Sequence, residues 1–121
     1  MIKKQILIVD GDITHSERLK RKLEEEQYNV DAVYHGYEAF MVLKSKWVDL
    51  IICSIRLQGV MNGIQLLQEL KKHHDYQKIP VIVQSSKVNL EEAVKNLGAD
   101  LFISKPYDIN DLIKQIKLFF K

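Results

Sequence analysis

The chain has one cysteine, two prolines and one tryptophan in 121 residues. A lone Cys53 closes no internal disulfide, so the stapled folds of small secreted proteins are excluded. Proline and glycine are too scattered to make a linker or a low-complexity tract, and no internal repeat is present. Long hydrophobic runs are missing. The longest, Ile6 to Val9 and Leu50 to Cys53, have the length of a strand, so nothing is expected to span a membrane. The opening MIKKQILIVDGD meets two acids after only a few apolar residues, which is not a signal-peptide pattern. With no sign of secretion, the expected location is the cytoplasm. An excess of one charge is missing too: 18 Lys and Arg against 16 Asp and Glu leave a net +2. The basic residues lie beside glutamates on the polar sides of helical stretches, without the clustering and stacking aromatics of a nucleic-acid surface.

What is present fits one globular domain over residues 1–121. Apolar residues make up 46% and charged residues 28%, too hydrophobic a mix for disorder. A short apolar run, a turn and a helical pattern recur five times. The runs are Gln5 to Val9, Asn29 to Tyr34, Asp49 to Ser54, Pro80 to Gln84 and Leu101 to Ser104. Three of them are apolar on both faces, as in central strands of a covered parallel sheet, whereas VDAVY mixes polar and apolar residues and reads as an edge.

The helices are expected over Ile13 to Gln27, after Gly36, after Gly63, from Asn89 and over Ile109 to Phe120. Asp12, or Thr14 with Glu17, would cap the first, and Asn89 with Glu92 would form a capping box on the fourth, which Gly98 ends. Alternating strands and helices imply right-handed crossovers. The expected fold is therefore α/β, a flavodoxin-like doubly wound five-stranded parallel sheet of order 2-1-3-4-5 with five helices. In such sheets the functional crevice lies beyond the carboxyl ends of the strands. That singles out Asp10, Gly11 and Asp12; Ser54 and Ile55; Ser85 and Ser86; and Lys105 and Pro106.

ILIVDGD at the first strand, DLIICSIRLQG at the third, Gly63 opening the third helix, IPVIVQSS, GAD at Gly98 to Asp100 and SKPYD follow one another in order. This series resembles the receiver domains of bacterial two-component response regulators, across nearly the whole chain. The resemblance implies an acidic pair after the first strand and an aspartate ending the third that hold Mg²⁺. That aspartate would take a phosphoryl group from phosphohistidine, with a hydroxyl residue after strand four and a lysine after strand five bonding the transferred group. By position, Asp10 matches the first acid, Ser85 the hydroxyl residue, Lys105 the lysine and Pro106 the proline after it, usually preceded by a cis bond. Phe102 matches the family's aromatic switch position.

The departures carry the functional expectation. Gly11 stands where the second acid belongs, Ser54 where the phosphoacceptor belongs, and Asp12 is better suited to capping a helix. The turn Gln58 to Gly63 is one residue longer than the family's and lacks its proline. Two of three metal-site carboxylates are gone, so no metal or other cofactor is expected. Ser54 has no neighbouring base to activate it, so no enzymatic or phosphoryl-accepting chemistry is expected either. Lys105 is expected to pair with Asp10. Ser85 and Ser86 are expected to satisfy backbone groups, and Cys53 to be a small buried hydrophobe. His15, His35, His73 and His74 read as surface residues, and Tyr37 and Trp47 as packing around the second helix.

The expected role is a pseudo-receiver in a two-component or phosphorelay system, binding a partner protein through helix 4, strand 5 and helix 5, where Phe102, Tyr107 and Leu118 offer apolar surface. The partner could be a separate protein, another domain of the same chain or a histidine-kinase system. One alternative is a receiver still coupled to phosphorelay through an unusual acceptor. Another is a flavodoxin-like cofactor protein, which the acidic DGD disfavours because it would repel a phosphate.

Overall fold

Each strand is followed by a turn and a helix that returns the chain to the same end of the sheet. In the computed structural model, which describes residues 2–121, the elements are β1 (Gln5–Val9), α1 (Ile13–Glu25), β2 (Asn29–Val33), α2 (Gly36–Ser45), β3 (Leu50–Ser54), α3 (Gly63–Lys72), β4 (Val81–Ser85), α4 (Glu91–Asn96), β5 (Leu101–Ser104) and α5 (Ile109–Phe119). All five strands are parallel, in the order β2-β1-β3-β4-β5. β2 is therefore an edge, as its mixed sequence suggests.

Side chains alternate across the sheet and split the core in two. Leu7, Val9, Ile51, Cys53, Val81, Val83 and Phe102 pack with Ala39, Leu43, Leu66, Leu67, Leu70 and Val94 of α2, α3 and α4. Ile6, Ile8, Leu50, Ile52 and Ile82 pack with Leu19 and Leu23 of α1 and Leu112, Ile113 and Ile116 of α5. Strand residues buried on both faces explain the unbroken apolar runs.

Asp12 caps α1, its Oδ1 accepting from the His15 N–H at 3.1 Å. The fourth helix departs from expectation. Leu90 N–H bonds the Lys87 carbonyl at 3.2 Å and closes a 3₁₀ turn over Val88–Leu90. Asn89 thus lies inside a tight turn instead of the extended conformation a capping residue needs. α4 begins only at Glu91, has six residues and no side-chain cap, and buries Val94 alone while Ala93 is exposed. Gly98 ends it with φ +109°, a conformation glycine adopts without strain. Tyr37 and Trp47 do not pack around α2. Tyr37 is on its outer side, away from Ala39 and Leu43, and Trp47 lies past its end with Nε1 donating to Asp49 at 2.8 Å; they are 78% and 72% exposed.

Candidate functional site

The parallel register pairs Val9 with Cys53, Ser54 with Gln84 and Ser85 with Ser104. The residues just beyond these pairs therefore meet at one edge of the sheet. Asp10, Ser54, Gln84, Ser85 and Lys105, with Gly11 and Asp12, line one cavity of about 770 Å³. The sequence-selected positions are thus brought together, apart from Pro106, which lies across the neighbouring turn after a cis Lys105–Pro106 bond.

Asp10 is the centre of charge. It is 1% exposed, and both oxygens of its carboxylate accept hydrogen bonds. Oδ1 accepts from the Asp12 N–H at 2.9 Å; Oδ2 accepts from Lys105 Nζ at 2.8 Å and from Gln84 Nε2 at 3.0 Å. The pairing of Asp10 with Lys105 is as the sequence indicates. A cation and two further donors stand in for the water that burial takes from this carboxylate.

Gln84 is the residue that reasoning from the sequence missed. Its side chain is fully buried, and its Nε2 also donates to Ser54 Oγ at 3.0 Å. Its Oε1 accepts from the Tyr107 hydroxyl, which in turn lies 2.9 Å from His15 Nε2. Every polar atom of the amide has a partner, as a buried amide requires. The available signal was a glutamine in an otherwise apolar strand, where an unpartnered amide would be costly.

The remaining positions have quieter roles. A Cβ on Gly11 would lie 3.0 Å from the Arg56 carbonyl oxygen and 3.1 Å from Leu57, because the β3–α3 loop closes directly over it. Gln58 pins that loop, its Nε2 donating to the Gly11 carbonyl at 3.1 Å and its backbone N–H to the Tyr34 carbonyl at 2.8 Å. Ser85 Oγ accepts from the Lys87 N–H at 3.0 Å, satisfying the backbone at the strand end. Burial and the Asp10 charge push the Cys53 thiol up to about 12, and the same two causes raise the Tyr107 hydroxyl.

Residues 6–117 match the response regulator receiver domain family. The chain belongs to that family. It is 33% identical over 115 residues to the response regulator ArlR of Staphylococcus aureus and 32% identical over 114 residues to "Probable transcriptional regulator ycf29" of Porphyra purpurea, each match covering 93% of this chain. Those matches cover 51% and 54% of the relatives, so the chain spans about half the length of the curated relatives it matches. Among solved structures, the receiver domain of a signal transduction histidine kinase from Syntrophus aciditrophicus superposes with a TM-score of 0.86 at 35% identity, over 96% of this chain and 89% of that one. The protein is thus a receiver domain of the two-component response-regulator type, and among the described residues no helix is long and apolar enough to cross a membrane.

Of the three expected contact residues, one is buried and one is only partly exposed. Phe102 is 8% exposed, because the β5 alternation points it at Val83 and Val94 on the face that α4 covers. Tyr107 is turned inward by its hydrogen bond to Gln84. Leu118 alone stands out, 60% exposed on the outer side of α5. His15 is not a free surface histidine, since Tyr107 holds its ring, and His35 is half-buried before α2, its N–H donating to Glu38 Oε1 at 3.1 Å.

Proposed function

We propose that this receiver domain is a pseudo-receiver that binds a partner protein in the cytoplasm without being phosphorylated, and that it is not an enzyme. One observation carries the reading: the Gln84 amide spans Asp10 and Ser54, at 3.0 Å from each, in the place where receiver chemistry needs a cation and an acceptor carboxylate.

The residues present do not fit Mg²⁺. A hard cation needs several free oxygen ligands, more than one of them usually a carboxylate. Both Asp10 oxygens are occupied, and Lys105 already neutralises the carboxylate. Gly11 brings no side chain, and one could enter only by moving the backbone above it. Ser54 offers a hydroxyl whose oxygen already accepts from Gln84. The family chemistry therefore has neither its metal ligands nor its acceptor. The remaining function is recognition, by a partner protein, another domain of a longer chain or a histidine-kinase system, at the surface around Leu118 and without nucleic acid.

The test is an amide NMR titration with Mg²⁺ and beryllofluoride, with the intact mass followed after treatment with acetyl phosphate. No saturable shift at Asp10, Ser54 or Lys105 and no added mass are expected. Millimolar saturation at those residues overturns the reading. So does a labile phosphoryl group on Asp12, the other carboxylate lining the cavity and an exposed one.

A further inference from the structure

The hydrogen bonds around Gln84 run in one direction. Both Nε2 hydrogens are given away, one to Asp10 Oδ2 and one to Ser54 Oγ. The amide can then only accept at Oε1, and the donor is the Tyr107 hydroxyl. That hydroxyl has a single hydrogen, so the 2.9 Å contact with His15 Nε2 must be a bond donated by the imidazole. A directed chain therefore runs from His15 on α1, through Tyr107 in the β5–α5 turn, to Gln84, and ends on Asp10 and Ser54. The ring of His15 also meets the Tyr107 ring edge-on, with centroids 5.4 Å apart, so the outer link is packed as well as bonded. A second cavity, of about 460 Å³, opens over this outer link and is lined by His15, Arg18, Lys105 and Tyr107.

We infer that Tyr107 is a positioning residue, a latch that holds the Gln84 amide at Oε1 and couples the buried cavity to the α1 and β5–α5 surface. Reversing the amide would place its oxygen against the acceptor-only Asp10 carboxylate, so Asp10 fixes the orientation, and Tyr107 donates to the Oε1 that this orientation presents. Movement of the β5–α5 turn that withdraws Tyr107 leaves Gln84 Oε1 unpaired and its amide less firmly held, and displacement of Gln84 likewise loosens Tyr107, because coupling between two sites is reciprocal. A partner seated against the turn thus reaches the cavity with no phosphoryl group involved. The inference rests on the pseudo-receiver reading only for its regulatory meaning; the latch itself stands or falls on the hydrogen bonds.

The experiment needs neither metal nor phosphoryl donor, so its outcome is separate from that of the titration above. In ¹⁵N-labelled protein, the His15 ring should carry the nitrogen shifts of the tautomer protonated at Nε2. The Gln84 side-chain N–H₂ should exchange slowly with solvent. Tyr107→Phe, which keeps the ring and loses the donor, should speed that exchange about tenfold or more, the effect of leaving one buried acceptor unpaired, and should shift the Asp10 and Ser54 amides. His15→Ala should leave the Gln84 amide held, because Tyr107 still donates. Phe102→Leu, in the core but outside the chain, should lower the melting temperature without speeding Gln84 exchange selectively. Unchanged Gln84 exchange and unchanged Asp10 and Ser54 shifts in a folded Tyr107→Phe overturn the latch. A His15 tautomer protonated only at Nδ1 does the same.

Discussion

Removing the Asp10 carboxylate strands three donors at once. Asp10→Ala leaves the Asp12 N–H, Gln84 Nε2 and Lys105 Nζ without the acceptor they share. A buried donor left unpaired costs about 1–3 kcal/mol, and breaking a fully buried ion pair costs about 3–5. Neither full figure applies: the Lys105 side chain is 22% exposed and can turn to water, and Gln84 keeps Ser54. The net loss should be about 2 kcal/mol. In a domain of this size that lowers Tm by about 8 °C. Lys105→Met should cost at least as much, because it leaves the charge on a carboxylate that is 1% exposed. The double variant should be less destabilised than the sum, by about 1–2 kcal/mol, since an apolar pair in place of a buried ion pair is often nearly neutral. Urea unfolding followed by far-ultraviolet circular dichroism is the suitable assay, because the single tryptophan is 72% exposed and reports poorly on packing. An Asp10→Ala protein at least as stable as the parent would mean that repulsion between Asp10 and Asp12 outweighs the pair. A coupling within about 0.3–0.5 kcal/mol of zero would mean that the pair does not act as a unit.

Stability should fall as pH rises above about 9. The Cys53 thiol has an ordinary value of 9.0 and is pushed up to about 12, so between these values the unfolded chain loses a proton that the folded one keeps. The slope approaches about 1.4 kcal/mol per pH unit for this one group, with Tyr107 adding to it above 10. Urea midpoints from pH 8 to 10.5 check this, and Cys53→Ala should show a shallower slope; equal slopes refute the assignment to Cys53. Leu118→Asp should abolish pull-down of the native partner in a chain that stays folded, while Ser54→Ala binds like the parent. The reverse pattern would show that the cavity still carries the signal. Phe102→Ala should instead lose about 3–5 kcal/mol of stability, as expected for an aromatic removed from a core, which a melting curve detects directly.

The layout of the fold was legible because parallel α/β packing writes itself into local pattern. Strands buried on both faces must be apolar throughout, and helices lying on the sheet must be apolar on one side. The start of α4 was not legible. Asn89 and Glu92 have the spacing of a capping box, but the Lys87 carbonyl takes the turn into 3₁₀ geometry first. The exposure of the β5 region was misjudged for a related reason: family position marks Phe102 as a contact residue, and only the register with β4 shows that it faces the core.

At the candidate site, sequence alone determined that Asp10, Ser54, Ser85 and Lys105 share one edge of the sheet. Strand ends in a parallel sheet converge whatever side chains they carry. It also determined that Gly11 and Ser54 supply no carboxylate, since composition at a position needs no coordinates. Only the tertiary structure decided what occupies the space so vacated. Gln84 and Asp10 are 74 residues apart, Tyr107 and His15 are 92 apart, and their bonds depend on side-chain direction from β4, from α1 and from the turns after β1 and β5. No local pattern encodes such a contact. A buried amide must find partners, but which partners it finds is settled by the packing that brings them within about 3 Å.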